Sequence, residues 1–463
     1  MARPLRLFAH PVHLSSSSRP SVPVFQFPRR RKLGSVSFVR PGTTIANKHL
    51  VEYDWIEGVE RLEEYQPGGY HPIVVGDILH GRYQIVDKLG FGGYSTVWLA
   101  RDTHLNRYVT LKVNIADSVQ HETKVLRAMS APPSSSSPVH PGRGLVPVLL
   151  DEFEVRGPNG KHICYTVPLA QCTLREVSFS RFFPLEVARA LSYRLAQAVA
   201  YIHLQGYIHG DIHLNNILVQ PPSSLDKLSI KQFYETFGEP ETVPITRRDG
   251  EPLPPNVPTK AVIPLFLGKY AERFSLSDAH PLLSDFGEAF PPASEVRLGR
   301  DCHTPVAFRA PEAKFESQTP LLYPSDIWSL ATAIWEIIGM KTIFSTEFVE
   351  EDEIVAQQID ILGPIPSEWW QRWEGRAQFF DENGYPTDSY MKDKWPPLEE
   401  SFEICVQKWR QKMGDEIEEE ETAVFLDLMR RMLSFRPEER PTAEEVLMSD
   451  WMVKWALPDC KRS

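Results

Sequence analysis

The sequence predicts an α+β fold in two unequal lobes, a small antiparallel β-rich N-lobe followed by a larger, mainly helical C-lobe. Three observations predict it. Residues 83–89, 96–100 and 108–113 read as strands, and a glycine turn joins the first two, the pattern of an antiparallel meander. After Cys172 the periodicity turns helical, with Leu191, Leu195, Val199 and Ile202 at three- and four-residue spacing. Residues 326–339 are apolar nearly all round, which marks a helix buried on most faces.

The elements follow in order. Residues 1–49 form a basic tail: up to Lys48 there are nine Lys/Arg and no Asp or Glu. Its Ser-, Pro- and Arg-rich composition cannot bury enough apolar surface to offset ordering, so disorder is expected. The same composition fits a mitochondrial presequence, and Arg29-Arg30-Arg31-Lys32 fits a nuclear import patch. Residues 50–81 are acidic and aromatic and read as an N-terminal extension packed on the next unit. Residues 82–170 make the first lobe, with a short helix at 122–129, a Ser/Pro loop at 131–143 and strands near 146–155 and 162–167. Residues 171–456 make the second. Pro184 and Gly206 bracket its first long helix, and Thr442 has capping-box spacing to Glu445. Within it, residues 221–280 are a spacer, Pro- and charge-rich over 221–260 with a short helix at 229–237, that looks like a surface excursion and is either a docking element or a flexible loop. Residues 457–463 are a tail.

Composition narrows the function classes. The chain carries a net charge of −11, so with nine cations in the tail about −20 falls on residues 49–463. Such a body favours basic partners and argues against direct nucleic-acid binding. No run of 18 apolar residues occurs, so neither a membrane span nor a membrane partner is expected. The five scattered cysteines include no C-x-x-C, which indicates neither a disulfide framework nor a zinc site and fits an intracellular compartment, nucleus or cytoplasm.

The candidate chemistry centres on His209-Gly210-Asp211-Ile212-His213-Leu214-Asn215-Asn216. The Asp can accept a hydroxyl proton, and the Asn offers an oxygen to a metal ion. The turn Gly90-Phe91-Gly92-Gly93-Tyr94-Ser95-Thr96-Val97 lets backbone N–H groups approach phosphates, although hairpins need glycine anyway. Lys112 lies in an apolar strand, where a lone lysine commonly snorkels. Its functional reading is a cation for the α- and β-phosphates. Between Lys112 and Asp151 the acidic residues are Asp117 and Glu122, and Glu122 opens a helical stretch, so by elimination it partners the lysine. Asp285 in Ser284-Asp285-Phe286-Gly287 follows a buried strand and suits Mg²⁺. Glu312 in Ala310-Pro311-Glu312 needs a cation if buried, and Arg440 is the candidate.

In this order these signals, with Asp326-Ile327-Trp328-Ser329, resemble the eukaryotic protein kinase fold from about Arg82 to about Trp455. Within it the chain looks most like the SR-protein kinase family in its fungal form. Gly92 to Asp102, with Ser95 at the third glycine position, carries that likeness, as do Tyr70-His71-Pro72 to Gly76-Asp77 and Leu362-Gly363-Pro364-Ile365-Pro366. The resemblance implies a monomeric serine/threonine kinase that uses ATP and Mg²⁺ on Arg/Ser-rich proteins such as splicing factors. It implies Asp211 as catalytic base, Lys112 on the ATP phosphates with Glu122 positioning it, and Asn216 and Asp285 on Mg²⁺. Residues Gly90 to Ser95 and Val97 would lie over the nucleotide. Val167 would stand at the back of the adenine pocket and Ala170 in the hinge. The acidic stretch 415–421 is compatible with docking a basic peptide, or is a helix start where negative charge is favourable.

Four departures stand out. Gly210 replaces the arginine that receives an activation-loop phosphate, so activity without loop phosphorylation is expected. His213 replaces a lysine that neutralises the γ-phosphate, and histidine supplies less positive charge at neutral pH. Lys112 and Glu122 are closer in sequence than the family pattern. Thr304 lies one residue further from Ala310 than usual, with Pro305 in the customary place. The loop His209-Gly210-Asp211 also resembles small-molecule phosphotransferases, and a pseudokinase scaffold is the other alternative.

Overall fold

A computed structural model describes residues 51–116, 118, 120–131, 139–177, 182–221, 223–347 and 349–463. The tail 1–48, Asp117 and most of the 131–143 loop lie outside the described residues.

The first lobe is a six-stranded antiparallel sheet. Its strands are β1 (Ile78–Leu79), β2 (Tyr83–Gly92), β3 (Ser95–Asp102) and β4 (Arg107–Asn114), then, after helix α1 (Glu122–Ser130), β5 (Asp151–Gly157) and β6 (Gly160–Pro168). Their order is β1-β2-β3-β4-β6-β5. Alternation sets the faces: Val109, Leu111 and Val113 of β4 join Ile85, Trp98, Ala100, Phe153 and Cys164 in one apolar layer. Register shifts between Ile85 and Asp87 and between Lys88 and Gly90 mark bulges in β2, which turn a strand and re-aim its side chains. The strand expected from 146 begins only at Asp151. Pro147 has no N–H for the ladder, and the Leu149 N–H goes instead to the Ser130 hydroxyl, 3.1 Å away.

The second lobe starts with α2 (Leu174–Val177) and α3 (Leu185–Leu204). Pro184 precedes α3, and Gly206 at φ +82° ends its approach to the loop. The ribbon β7 (Ile217–Val219) follows, and then the spacer. The spacer holds α4 (Ile230–Phe237), β8 (Thr242–Pro244) and β9 (Lys260–Val262), before β10 (Pro281–Leu283) returns antiparallel to β7. Further helices follow, beginning with α5 (Glu312–Phe315) and α6 (Pro324–Gly339). Residues 326–339 of α6 are all buried, as the sequence implies. Arg410, also fully buried, donates from Nε and Nη2 to the Ile338 carbonyl at 3.0 and 2.7 Å and so closes the C-terminal end of α6. No helix among the described residues is long and apolar enough to cross a membrane.

The spacer is not a surface excursion. Ser229 and Gln232 cap α4 reciprocally, and the helix buries Phe233 among Val86, Leu99, Tyr108, Leu169, Leu265 and Leu267. The Tyr234 hydroxyl donates to the Val86 carbonyl at 2.8 Å, and the Leu265 N–H to the Lys88 carbonyl at 2.7 Å. The β8–β9 arm then packs Ile245, Val257 and Ile263 on Tyr53, Tyr65 and Tyr70 of the extension. An amphipathic helix with one large aromatic face buries it wherever a matching surface exists, and here the first lobe supplies that surface.

The acidic stretch resolves in favour of structure at two positions. Asp415 accepts from the Leu185 N–H and from Arg410, both at 2.9 Å. Glu421, fully buried, accepts from Arg189 Nε at 2.8 Å and Trp451 Nε1 at 3.1 Å. The C-terminal segment is a helix, Leu457–Arg462, whose Asp459 also meets Arg189.

Candidate active site

Antiparallel pairing of β2 and β3 places Gly90 opposite Val97, Phe91 opposite Thr96 and Gly92 opposite Ser95, with Gly93 and Tyr94 at the turn. A Cβ added at Gly90, Gly92 or Gly93 would meet no atom within 4 Å, so the space beside the turn is open. Phe91 and Tyr94 are exposed, and Ser95 is buried. On the next strand, Lys112 lies between its partners Val97 and Tyr165.

Lys112 Nζ donates to Glu122 Oε2 at 2.7 Å and lies 3.4 Å from Asp285 Oδ1. The short sequence spacing between Lys112 and Glu122 is accommodated because Glu122 is the first residue of α1. Burial opposes the lysine's charge, but the carboxylates of Glu122 and Asp285 and the Tyr165 phenol outweigh it and hold its pKa well above the usual lysine value. Asp285 is correspondingly low, held down first by Lys112 against the opposing effect of burial. His121, just before α1, contacts the Ala289 carbonyl and ties the helix to the segment after Asp285.

The β7–β10 ribbon sets Asn216 beside Asp285. The Ser284 N–H donates to the Asn216 carbonyl at 2.8 Å. Asp285 adopts a left-handed backbone (φ +64°, ψ +75°), and the buried Phe286 ring lies 5.0 Å from His209. Asn216 Nδ2 donates to Asp211 Oδ2 at 2.8 Å and to the Asp211 carbonyl at 2.9 Å, which turns its Oδ1 to the other side. Oδ1 of Asp211 is a buried atom without a hydrogen bond among the described residues, 3.3 Å from His213 Nε2. The His213 ring packs on Phe308 at 5.4 Å. It therefore sits beside the carboxylate rather than reaching out over the cleft.

The loop is held from below by Asp326 of α6. Its carboxylate accepts from the His209 N–H at 2.7 Å, the Gly210 N–H at 2.9 Å and His203 Nε2 at 2.9 Å. Burial would raise this acid, but the hydrogen bond and charge of His203, with His209 and the Gly210 N–H, hold it low. Gly210 has φ +76°. The Thr304 hydroxyl donates to its carbonyl at 2.5 Å, so the displaced threonine still reaches the loop. Where an arginine side chain would leave Gly210, a wired cluster stands instead. Arg297 Nη1 meets Glu288 Oε2 at 2.9 Å, Nη2 meets Glu295 at 3.3 Å, and the guanidinium lies 4.5 Å over Phe290. His303 Nδ1 adds a 2.9 Å contact to Glu288. At the rear, Val167 packs against the second lobe's core, and Leu169 turns into the cluster around Phe233, with Ala170 following it half-buried. Glu312 and Arg440 pair bidentately at 2.8 and 2.7 Å, as the sequence suggested.

Among the described residues no group of three or more His, Cys, Asp or Glu could hold a metal alone. Mg²⁺ does not need one, because it is ordinarily held by one or two carboxylates together with substrate phosphates. The Asp285 carboxylate and the Asn216 Oδ1 fit that donor set. Sequence reasoning missed the role of Asp326, the His209–Phe286 contact and the Arg297–Glu288–His303 cluster. The D-x-W-S motif was the one visible signal for the first.

The protein kinase domain family matches residues 274–452. A kinase domain solved by crystallography superposes with a TM-score of 0.56 over 83% of this chain and 98% of that one, at 17% identity, which establishes the fold. A serine/threonine protein kinase of Aspergillus fumigatus is 30% identical over 415 residues, covering 85% of this chain and 90% of its own length. The chain belongs to the protein kinase family. It is a serine/threonine protein kinase, and members of the SR-protein kinase group are among its relatives. Protein kinase dsk1 of Schizosaccharomyces pombe is 25% identical over 87% of this chain and 86% of its own. Human SRSF protein kinase 3 is 33% identical over 172 residues, 35% of this chain and 30% of its own. The kinases of this family use ATP and Mg²⁺.

Proposed function

We propose that this kinase transfers the γ-phosphate of Mg·ATP to serine hydroxyls in basic, Arg/Ser-rich protein segments of the splicing-factor type, and that it does so as a monomer without phosphorylation of its own activation segment. The observation that carries the reading is the joint placement of Lys112, Glu122 and Asp285 within 3.4 Å, with Asp211 and Asn216 linked at 2.8 Å.

Asp211 takes the proton of the substrate hydroxyl, its carboxylate oriented by Asn216 at Oδ2 and by His213 3.3 Å from Oδ1. Asn216 Oδ1 and Asp285 would hold Mg²⁺, which when bound neutralises charge between the phosphates. Lys112 fixes the α- and β-phosphates, held in place by Glu122. The N–H groups of the turn 90–95 cradle the phosphates, and Val167 and Ala170 flank the base. His213 adds polarity beside Asp211. Activation without a phosphate is supported by Glu288, which supplies to Arg297 and His303 the anion that a phosphate supplies elsewhere. The basic substrate is supported by the acidic body and by the SRSF kinase named among the relatives.

The test is an assay with Mg·ATP on Arg/Ser peptides and on small alcohols. Phosphorylation of the peptides alone is expected, with Asp211→Ala lowering the rate by at least about 10²-fold. Phosphatase-treated enzyme should keep its rate. Transfer to small alcohols, an equal rate in Asp211→Ala, or loss of activity after phosphatase would each refute the corresponding part.

A further inference from the structure

The extension carries a tyrosine for which the reaction described so far has no use. We propose that Tyr70 is a positioning residue for the nucleotide: its hydroxyl, by holding the Gly92 carbonyl, orients the glycine turn so that the following N–H faces the phosphates. The inference rests on the reading of the cleft as an ATP site and goes beyond it by assigning a role to a residue outside the kinase lobes.

The Tyr70 hydroxyl donates to the Gly92 carbonyl at 2.7 Å. In a trans peptide C=O and N–H point opposite ways. Fixing the Gly92 carbonyl toward Tyr70 therefore sends the Gly93 N–H away from it. Gly92 closes the ladder opposite Ser95, and with glycine on both sides this peptide plane is softer than one between residues bearing a Cβ.

Tyr70 is itself held on every side. Its carbonyl accepts from Asn159 Nδ2 at 2.7 Å, and its N–H donates to the Glu64 carbonyl at 3.0 Å. The Tyr65 ring meets it edge-on at 5.5 Å. Tyr65 in turn donates to Glu60 at 2.5 Å, and Glu60 pairs with the buried Lys88 at the root of the turn. The spacer closes the brace from outside, with Asn256 Nδ2 donating to the Tyr65 carbonyl at 2.6 Å and the Asn256 carbonyl accepting from Asn159 at 3.0 Å. Gly69 belongs to the same construction, because a Cβ there would meet the Glu64 carbonyl oxygen at 1.9 Å. Burial, with Glu60 and Glu64 nearby, pushes the Tyr70 phenol up to about 12, so it stays a donor at any working pH.

The test compares full-length wild type with Tyr70→Phe, which keeps the buried ring, and with Asn256→Ala, which loosens the brace from the spacer side. Dissociation constants are measured for Mg²⁺ with a non-hydrolysable ATP analogue and for adenosine, which has no phosphates. In Tyr70→Phe the analogue should weaken about three- to ten-fold while adenosine is unchanged, and KM for ATP should rise more than kcat changes. Asn256→Ala should show the same split at smaller size. Equal weakening of both ligands means a general structural role and overturns the proposal, as does no change in either. Wild type that fails to bind the analogue at all would sink the ATP reading itself, a different result from binding without the split.

Discussion

Two ion pairs in this kinase use similar chemistry to opposite ends. Arg440 is buried, forks both nitrogens onto Glu312 and spends its remaining donors on the carbonyls of Ser434, Pro324 and Phe435 at 2.8–3.1 Å. Its guanidinium lies 5.1 Å over Trp328. Lys112 makes one bond to Glu122 and faces Asp285 at 3.4 Å across an open cleft. A planar fork with every donor committed is an anchor. A point charge between two carboxylates, with donors to spare, can take a third anion. The difference lies in the commitment of donors rather than in the strength of either pair.

The largest effect should come from breaking the anchor. Arg440→Met leaves Glu312 charged in a buried setting, and a loss of about 3–5 kcal/mol is expected in denaturant unfolding. A loss under ~1 kcal/mol would erase the distinction between the pairs. Next, Lys112→Met should cut phosphotransfer by at least about 100-fold, or ~2.7 kcal/mol of barrier, while stability falls less than in Arg440→Met because Asp285 is half-exposed to water. If stability fell as far as in Arg440→Met, Lys112 would be an anchor too.

A third buried group sharpens the contrast from the other side. His71 has no counter-charge in contact, and its Nδ1 has no hydrogen bond among the described residues. Burial, with His162 at 4.8 Å, lowers its pKa to about 4 despite Asp77. The unfolded chain therefore binds the proton first. Stability is full above pH ~6.5 and falls as the pH drops toward ~4, by about 2 kcal/mol after allowing for solvent screening. His71→Phe should flatten this slope in unfolding curves between those pH values. An unchanged slope would assign it to other groups.

What was legible in the sequence follows the same division. Lys112, Asp211, Asn216 and Asp285 could be singled out because phosphoryl-transfer chemistry restricts side-chain type at fixed spacing, and the fold brings them together. The strands and the long helices could be read because burial imposes a period of two or 3.6. Pro147 shows the limit of periodicity: the apolar run around it looks like strand, yet one missing N–H postpones pairing to Asp151. The helix at 229–237 was visible from its cap, but not its destination, since Tyr108 and Val86 lie more than ~100 residues earlier. Asp415 and Glu421 looked like solvated charge because their partners Arg410 and Arg189 are known only in three dimensions. At Gly210 the absent side chain was plain, while the cluster standing opposite it was not.

The docked spacer has a consequence for the ribosome. The first lobe would ordinarily be the first to fold as the chain emerges. Here the surface formed by Val86, Leu99 and Tyr108 acquires its cover only when Phe233 and Leu265 arrive. Phe233 is synthesised ~125 residues after Tyr108, a delay of roughly 6–25 s at ~5–20 residues per second. Throughout that interval the Val86–Leu99–Tyr108 surface lacks its cover, so the first lobe completes its packing only after residues 209–216 have been made.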